Sequence, residues 1–334
     1  MMMKKSGVVS RFVGGILAVA VAGALMTGCA KKDDGAAAGS VEGDGKAIVV
    51  GFSQIGAENP WRTAETKSIL DEGKERGVTV KFSDAQGKQA GQISALNSFV
   101  AQKVDAIILA PVVETGWEQV LASARNAKIP VILVDRGVDV PDDSLYTTLI
   151  ASDFVEEGRR AGEWLAKRTE GKANIVELQG TPGAAPANDR NKGFVEAIAN
   201  HPEMKISRSQ TGEFNRTKGK EVMEAFLKAD ATITAVYAHN DDMALGAIQA
   251  IEEAGKKPGT DILVVSIDGM KEIVAAIAEG KANCTVECNP LLGPAAFDAV
   301  EKVIAGETLE KKIIVEDQLI DETNAAALLP DRKY

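Results

Sequence analysis

Short apolar runs of strand length alternate with longer stretches of helix length from residue 46 onward, and this alternation restricts the possible folds strongly. The runs Ala106–Ala110, Val131–Val134 and Ala235–Ala238 carry no charge, as expected for strands that are buried on both faces. This spacing is typical of βαβ units with parallel strands. Because the pattern restarts after Leu145–Ser152, the sequence predicts an α/β fold with two doubly wound parallel-sheet lobes.

The last part of the chain predicts several connections between the lobes and no third domain. It contains a predicted strand over Thr285–Cys288, a helix over Leu292–Ile304 and another strand over Ile313–Ile320. We expect the chain to pass back between the lobes in this region. The predicted division assigns residues 46–150 and about 289–315 to the first lobe, and residues 151–288 and about 316–334 to the second.

The N-terminal segment has the organisation of an export signal. Basic residues precede Phe12–Met26, an uncharged core shorter than the roughly 20 residues that a membrane-spanning helix needs. The residues that follow, Met26–Cys29, resemble the lipobox of bacterial lipoproteins, in which the cysteine is acylated. We expect a signal peptide over residues 1–28, a lipid anchor at Cys29 and a flexible tether over residues 29–45. An uncleaved membrane anchor and plain secretion are the alternatives.

Composition excludes several classes of function. The chain has 38 Lys and Arg against 48 Asp and Glu, a net charge of −10, which argues against nonspecific nucleic-acid binding. The two histidines, His201 and His239, are too few for a multi-histidine metal centre. No strand is followed by GxxxxGK[ST] or GxGxxG, so the known nucleotide-binding loops are absent from the sequence. We therefore predict no cofactor and no metal.

Two of the three cysteines lie four residues apart, at Cys284 and Cys288. In a strand their Cα atoms would be ~13 Å apart, beyond the limit of about 7 Å for a disulfide. We expect both thiols to be unpaired, with a bulged strand or a CxxxC redox or metal role as the alternatives.

Polar and aromatic side chains follow the apolar runs. In open parallel sheets ligands bind beyond the carboxyl ends of the strands. Carboxylates, guanidinium groups and amides there would suit a polyhydroxylated ligand, and aromatic rings would pack on its C–H face. The two runs that end at Asp135 and Asp268 also match each other weakly, which favours duplication of one half-fold. The strand-end residues are Gln54 to Arg62, Asp84, Pro111 to Glu114, Asp135, Arg136, Gln179 to Arg190, Phe214, His239 to Asp241, and Asp268.

Each of these residues also has a purely structural interpretation. Asp135 and Asp268 could cap the following turns, and Arg136 could pair with Asp139 on the surface. At least one of Asp241 and Asp242 is expected to cap a helix. Because Asp135 and Asp268 directly follow apolar runs, we nevertheless expect both to point into the cleft. The residues expected to be structural are Trp117 and Trp164 in the core, and His239 as a structural group or a support behind the site.

Taken together, these residues resemble the type I periplasmic sugar-binding proteins of ABC transporters, in the ribose- and galactose-binding group. The similarity is closest to the galactofuranose-binding members and extends from about Ile48 to Leu309. Ribose binders have an aromatic pair where this chain has Trp61 and Arg62, and glutamine where it has Cys288. The stretches that carry the resemblance include Val50–Gln54, Val104–Val113, Val134–Arg136, Val176–Gly180, Phe214–Arg216, Val236–Met243 and Ser266–Gly269.

The resemblance implies two lobes joined by three hinge strands that close over one monosaccharide. By position, it assigns ligand binding to Trp61, Arg62, Asp135 and Arg136 in the first lobe, and to Arg190, Phe214, Asn240 and Asp268 in the second. Together with the lipobox-like segment, it predicts a monomeric, non-enzymatic, lipid-anchored protein outside the cytoplasmic membrane, in the periplasm or at the cell surface. Such a protein would deliver a galactofuranose-like or related sugar to a membrane ABC permease.

Two other classes of function stay open at this point. A sensory receptor of the same fold would report the sugar to a chemotaxis or kinase partner. A carbohydrate-active enzyme would use Asp135 and Asp268 as paired carboxylates. Sugar-responsive repressors also share the fold, but they need a basic DNA-binding head where this chain has a signal sequence.

Overall fold

The computed structural model describes residues 47–334, which form two six-stranded sheets flanked by helices. The expected signal peptide, the tether and Cys29 lie outside the described residues. The strands are β1 (Val49–Gln54), β2 (Thr79–Asp84), β3 (Ala106–Leu109), β4 (Val131–Val134), β5 (Thr148–Ala151), β6 (Lys172–Gln179), β7 (Glu203–Thr211), β8 (Ala235–Ala238), β9 (Leu263–Asp268), β10 (Cys284–Glu287), β11 (Lys312–Ile314) and β12 (Leu319–Asp321).

In the described part of the chain, nine α-helices lie between strands and a tenth follows the last strand. They are α1 (Pro60–Glu75), α2 (Gln89–Ala101), α3 (Glu118–Asn126), α4 (Phe154–Arg168), α5 (Ala185–Ile198), α6 (Arg216–Ala229), α7 (Asp241–Glu253), α8 (Lys271–Ala278), α9 (Gly293–Ile304) and α10 (Ala325–Leu328). Within residues 47–334, no helix has both the length and the apolar character needed to cross a membrane.

The two sheets have the same strand order and differ in the direction of one edge strand. The first has the strand order β11-β5-β4-β3-β1-β2, and the second has the order β12-β10-β9-β8-β6-β7. Neighbouring strands are parallel throughout, except for the antiparallel pair of β10 and β12. This arrangement confirms the predicted α/β class with two doubly wound lobes, and the shared order agrees with duplication of one half-fold.

Both faces of the first sheet are covered, which explains why its strands are apolar without alternation. Ile108 in β3 points to a core that contains Phe297 of α9. Its neighbour Ile107 points to a separate core that contains Leu121 of α3. Since successive side chains of a strand face opposite sides, a sheet buried on both faces needs apolar residues at every position.

The chain passes between the two sheets three times. The first crossing joins β5 to α4, the second joins β10 to α9, and the third joins β11 to β12. The prediction of one strand over Ile313–Ile320 is therefore wrong. β11 pairs with β5 in the first sheet and β12 pairs with β10 in the second. The polar residues Glu316 and Asp317 lie between these strands and form the crossing.

Asparagine side chains begin several of the helices. Asn59 accepts a hydrogen bond from the Arg62 backbone N–H at 2.8 Å, and Pro60 takes the first helical position of α1, where its missing N–H is no loss. Asn240 caps α7 in the same way, through a 3.0 Å bond from Met243 N–H. The expectation that Asp241 or Asp242 caps this helix is therefore wrong, because both lie inside its first turn.

Candidate functional site

A small cavity lies between the lobes, where the carboxyl ends of the two sets of parallel strands face each other. The empty space there, including its opening to solvent, is about 270 Å³. All eight residues assigned from the sequence line it, four from each lobe. Three further residues complete the lining: Asn59, Pro186 and Cys288. The geometry therefore brings the whole predicted set together.

Arg62 organises the first-lobe side of the cavity. Its Nη1 donates to Glu65 at 2.5 Å and its Nη2 donates to Asp135 at 2.7 Å, with all three side chains buried. Burial disfavours the charge of Arg62, but the neighbouring carboxylates of Glu65, Asp135 and Glu58 outweigh it and raise its pKa. Arg62 is therefore a fixed cation whose side chain cannot swing away from Asp135 without losing a buried ion pair.

Arg136 is the second cation of the first lobe. It is buried, so the alternative of a surface pair with Asp139 is wrong. Burial and the charge of Arg62 lower the pKa of Arg136 to about 10. Its Nη1 donates to the Val112 carbonyl at 3.2 Å, and its guanidinium lies 5.3 Å from the ring centroid of Phe214 in the other lobe. The Nε atoms of Arg62 and Arg136 are buried without a hydrogen bond. Each of these two guanidinium groups therefore has one N–H that is not used in a hydrogen bond.

Asp268 and Arg190 define the second-lobe side. Arg190 donates to Glu157 and to the His239 carbonyl, both at 2.7 Å, and its Nη2 lies 3.6 Å from Asp268. Burial raises the pKa of Asp268 well above its ordinary value, and the nearby carboxylates add to this. The 3.6 Å contact with Arg190 is the shortest polar contact recorded for the Asp268 carboxyl among residues 47–334. This carboxyl thus keeps most of its hydrogen-bonding capacity for a ligand.

Three residues that line the cavity have positive φ angles, which L residues rarely adopt. The values are 60° for Asp135, 58° for Phe214 and 129° for Asp268. Asp135 and Asp268 each sit where a strand ends, and the unusual backbone turns the chain sharply there. Unfavourable backbone conformations of this kind are concentrated at functional sites. The turn-capping interpretation does not account for the burial of both carboxyls.

Aromatic residues from opposite lobes contact the facing lobe. The indole Nε1 of Trp61 donates to the Cys288 carbonyl at 2.6 Å. The ring of Phe214 faces Arg136 of the first lobe, and it packs so closely on Gly180 of its own lobe that a Cβ there would be 2.0 Å from Phe214 Cζ. Asn59 donates to the Phe214 carbonyl at 3.3 Å, which adds another bond between the lobes. The structure thus has both rings at the interface of the lobes, beside the cavity.

His239 supports the second lobe from behind the cavity. Its Nδ1 accepts from the Gly180 N–H at 3.3 Å, so its Nε2 carries the proton and donates to Glu177 at 3.0 Å. Burial lowers the pKa of His239, which keeps the ring neutral. Burial opposes ionisation of Glu177 as well, but hydrogen bonds from His239, Ser209 and Asn191 lower its pKa to about 2. Through its own carbonyl, His239 then fixes Arg190.

The two aspartates after Asn240 have separate structural partners. Asp241 accepts hydrogen bonds from Ser266, from Thr285 and from the backbone N–H of Met270, which ties α7 to β9 and β10. Asp242 pairs with Arg216 at 2.8 Å on the far side of the helix end. Neither lines the cavity. Asn240 lines it, although its amide also caps α7 and donates to the Phe214 carbonyl at 3.4 Å.

Cys284 and Cys288 are both buried and free. Burial raises the pKa of each thiol well above its ordinary value, so neither has the thiolate character of a redox cysteine. Among residues 47–334 no three His, Cys, Asp or Glu side chains are placed to hold a metal ion.

Sequence reasoning missed the carboxylates that position the arginines. Glu65 and Glu157 lie within helices, behind Arg62 and Arg190, and nothing in a single sequence marks them as facing a buried cation. Asn59 and Pro186 lie within the predicted strand-end stretches Gln54 to Arg62 and Gln179 to Arg190, but neither was among the eight residues assigned to ligand binding.

Comparison with known proteins places this site in a family. Residues 50–308 match the sequence profile of the periplasmic binding protein domain. The chain is 53% identical over 288 residues to the galactofuranose-binding protein YtfQ of Escherichia coli (strain K12), with 85% of this chain and 88% of the relative covered.

Solved structures agree with that match. The periplasmic binding protein component of the arabinose ABC transporter from Shewanella sp. ANA-3, bound to α- and β-L-arabinofuranose, is 54% identical with a TM-score of 0.84. A Mycobacterium smegmatis protein in complex with β-D-fucofuranose is 53% identical, also with a TM-score of 0.84. Each alignment covers 86% of this chain and 96% of the solved one. The resemblance drawn from the sequence is thereby confirmed, and the chain belongs to the periplasmic binding protein family.

Proposed function

We propose that this protein captures one monosaccharide in its furanose form, in the cavity between the lobes, and delivers it to a membrane ABC permease. The observation that carries the proposal is the convergence of eight buried or nearly buried side chains from both lobes on one cavity of about 270 Å³. Relatives with 53–54% identity are described as binding galactofuranose, arabinofuranose and fucofuranose.

The chemistry of the lining supports a polyhydroxylated ligand. A sugar hydroxyl both donates and accepts, so it needs an acceptor and a donor within reach. Asp135 and Asp268 supply carboxyl acceptors, while the guanidinium groups of Arg62 and Arg136, whose Nε atoms make no hydrogen bond, supply donors. Charge-assisted bonds of this type contribute about 1.5–3 kcal/mol each. The site binds and orients; it breaks no bond.

We propose that residues 46–150 with about 289–315, and residues 151–288 with about 316–334, act as two bodies that close over the sugar. Closure excludes water from the cavity and strengthens its polar contacts. Only the closed, loaded form would present both lobe faces to a permease in the correct relative position. We further propose acylation of Cys29, so that the binding protein stays near the membrane outside the cytoplasm.

A ligand screen tests the proposal. Purified protein is melted with L-arabinose, D-galactose, D-fucose, D-ribose and myo-inositol, and the hits are titrated by calorimetry. A ligand at 100 times its Kd should stabilise the protein by about 2.7 kcal/mol. The ring form follows from the ¹³C spectrum of a bound sugar labelled at C1, since furanose and pyranose anomeric carbons differ in shift. Binding confined to pyranose forms would contradict the furanose assignment.

The enzyme alternative has its own test. Incubation with aryl furanosides, followed by detection of the released phenol, would reveal glycosidase activity. We expect none, because hydrolysis needs two carboxyls at a fixed spacing of about 5 Å or about 6.5–9.5 Å, and these two are on separate lobes. Turnover that is lost in Asp135→Asn would favour the enzyme.

A further inference from the structure

The C-terminal arm, residues 329–334, is attached to the second lobe directly behind Asp268. Arg332 Nε donates to the Gly269 carbonyl at 2.8 Å, and Nη2 donates to the same oxygen. Its Nη1 donates to Glu287 at 2.6 Å. The arm is completed by Tyr334, whose hydroxyl donates to Glu287 at 3.0 Å and whose carbonyl accepts from Lys271 N–H at 2.6 Å. A single guanidinium thus joins the ends of β9 and β10.

These two strand ends carry cavity residues. Asp268 ends β9 and directly precedes Gly269, while Cys288 directly follows Glu287 at the end of β10. The backbone N–H of Cys288 donates to the Asp268 carbonyl at 3.1 Å, so the two ends are also bonded to each other. Arg332 is not among the residues that line the cavity. Any effect on a ligand is therefore expected to pass through the backbone of these two strand ends.

The backbone at this point is held in an uncommon conformation. Asp268 has φ of 129° and Gly269 has φ of 73°. A Cβ on residue 269 would lie 2.4 Å from Arg332 Nη2, so the close approach of the guanidinium requires glycine. On the other side, the Gly269 N–H donates to Thr285 at 3.1 Å. Such a conformation persists only while its surroundings hold it.

We propose that Arg332 is a positioning residue that sets the orientation of the Asp268 carboxyl from outside the cavity. The proposal rests on the proposed function, in which Asp268 accepts a sugar hydroxyl. The Asp268 carboxyl has no short hydrogen bond of its own among the described residues, so its direction follows from its backbone. Without Arg332, the Asp268–Gly269 peptide relaxes towards a common conformation and the carboxyl leaves its place in the cavity.

The first test is a double-mutant cycle on sugar affinity, measured with the furanose identified in the screen. Arg332→Ala in the full chain should weaken binding at least 10-fold. In the Asp268→Asn background the same change should weaken it less than 2-fold, because the group that Arg332 positions is already altered. Equal losses in both backgrounds would overturn the proposal. Lys333→Ala, an exposed neighbour on the same arm, is the matched control and should bind as wild type.

The second test does not need a sugar. Amide hydrogen exchange at Gly269 and Met270 in the ligand-free protein should accelerate at least 10-fold in Arg332→Ala and stay unchanged in Lys333→Ala. Unchanged exchange in Arg332→Ala would overturn the proposal. If wild type binds no furanose, the proposed function fails, while this measurement still decides whether the arm holds the Asp268–Gly269 backbone.

A conservative variant separates positioning from general stability. Arg332→Gln can still donate one hydrogen bond to the Gly269 carbonyl, so it should recover part of the affinity and of the exchange protection. It also replaces Arg332→Ala if that variant does not fold. A loss of melting temperature in Arg332→Gln equal to that in Arg332→Ala, with no recovery of affinity or exchange protection, would assign Arg332 a purely structural role and overturn the proposal.

Discussion

The indole of Trp61, at the start of the first helix, donates a 2.6 Å hydrogen bond to the Cys288 carbonyl, which belongs to the other lobe. Trp61 is almost fully buried and packs into the core of the second lobe. The bond can exist only when the lobes are together. Trp61 therefore takes part in closure as well as in lining the cavity.

Replacement of Trp61 should weaken ligand binding through this bond. Trp61→Phe removes the indole N–H while keeping an aromatic ring, and we expect affinity to fall about 5- to 50-fold. Trp117→Phe is the matched control. Trp117 also donates from its indole to a backbone carbonyl, that of Val113 at 2.7 Å, but within one lobe.

Tryptophan fluorescence gives an independent measurement of the same contact. Ligand should change the fluorescence of wild type and of Trp117→Phe, and the change should vanish in Trp61→Phe. A signal lost in Trp117→Phe and kept in Trp61→Phe would move the ligand away from Trp61.

Replacement of Asp268 by asparagine should lower sugar affinity without lowering the stability of the ligand-free protein. Burial and neighbouring carboxylates oppose its ionisation in the folded protein, so Asp268→Asn relieves that strain. We expect sugar affinity to fall at least 10-fold and the ligand-free protein to melt at the same or a higher temperature. Calorimetric titration and thermal melting measure the two effects separately. Unchanged affinity would remove Asp268 from the site.

Asp242 provides the contrast for that experiment. It pairs with Arg216 outside the cavity, so Asp242→Ala should lower the melting temperature and leave affinity near wild type. Asp135 differs from Asp242 and Asp268, because its removal would take a neighbouring carboxylate away from the buried positive charges of Arg62 and Arg136. Asp135→Ala is therefore expected to lose both affinity and stability.

A contact between the lobes outside the cavity, from Asn188 to Glu114, should affect closure. Asn188 in the second lobe donates to the Glu114 carboxylate in the first at 2.5 Å, beside a 2.9 Å backbone bond from Glu114 to Gly183. Glu114→Ala removes the side-chain bond, so we expect affinity to fall roughly 2- to 10-fold, equivalent to about 0.5–1.5 kcal/mol. Small-angle scattering of the ligand-free variant should show a larger radius of gyration. Glu118→Ala, an exposed carboxylate of the same lobe, should change neither quantity.

Asp317, on the third crossing, should make stability depend on pH. Burial and the charges of Glu157 and Glu287 raise its pKa to about 7, although Ser152 and Arg190 oppose this. Among the described residues, Arg160 donates to the backbone carbonyl of Asp317 at 2.7 Å and not to its carboxyl. Because the folded state holds this proton more tightly than the unfolded state, stability falls as pH rises from about 4 to about 7.

Asp317→Asn isolates that contribution. The unfolding free energy of this variant should exceed that of wild type by more at pH 8 than at pH 5. The two excesses should differ by more than about 1.4 kcal/mol, the equivalent of one pKa unit. Urea unfolding at the two pH values measures the difference. An advantage that does not change with pH would show that Asp317 titrates normally.

The proposed lipid anchor can be tested on the full chain. Cys29→Ser should either release the protein from the membrane fraction or leave the precursor unprocessed, because acylation needs the thiol. Cell fractionation and mass spectrometry of the mature N-terminus measure both. A correctly processed variant that stays with the membrane would contradict lipid anchoring at this residue.

The sequence predicted the features that depend on local pattern. β4 and β8 lie where their apolar runs predicted them, since a strand buried on both faces leaves an unmistakable signal. The cap of α7 was missed because Asn240, Asp241 and Asp242 are all good capping residues, and only the backbone shows which one precedes the helix. Arg332 was missed because its partners lie 45 and 63 residues away in sequence.

The interleaved topology has a consequence for synthesis on the ribosome. Each sheet takes an edge strand, β11 or β12, from the last portion of the chain to be translated. A nascent chain that lacks this portion would expose β5 and β10 as edge strands and leave Gly269 without Arg332. Neither half can then be excised as one continuous stretch of the gene, and a prematurely terminated product would be incomplete in both halves at once.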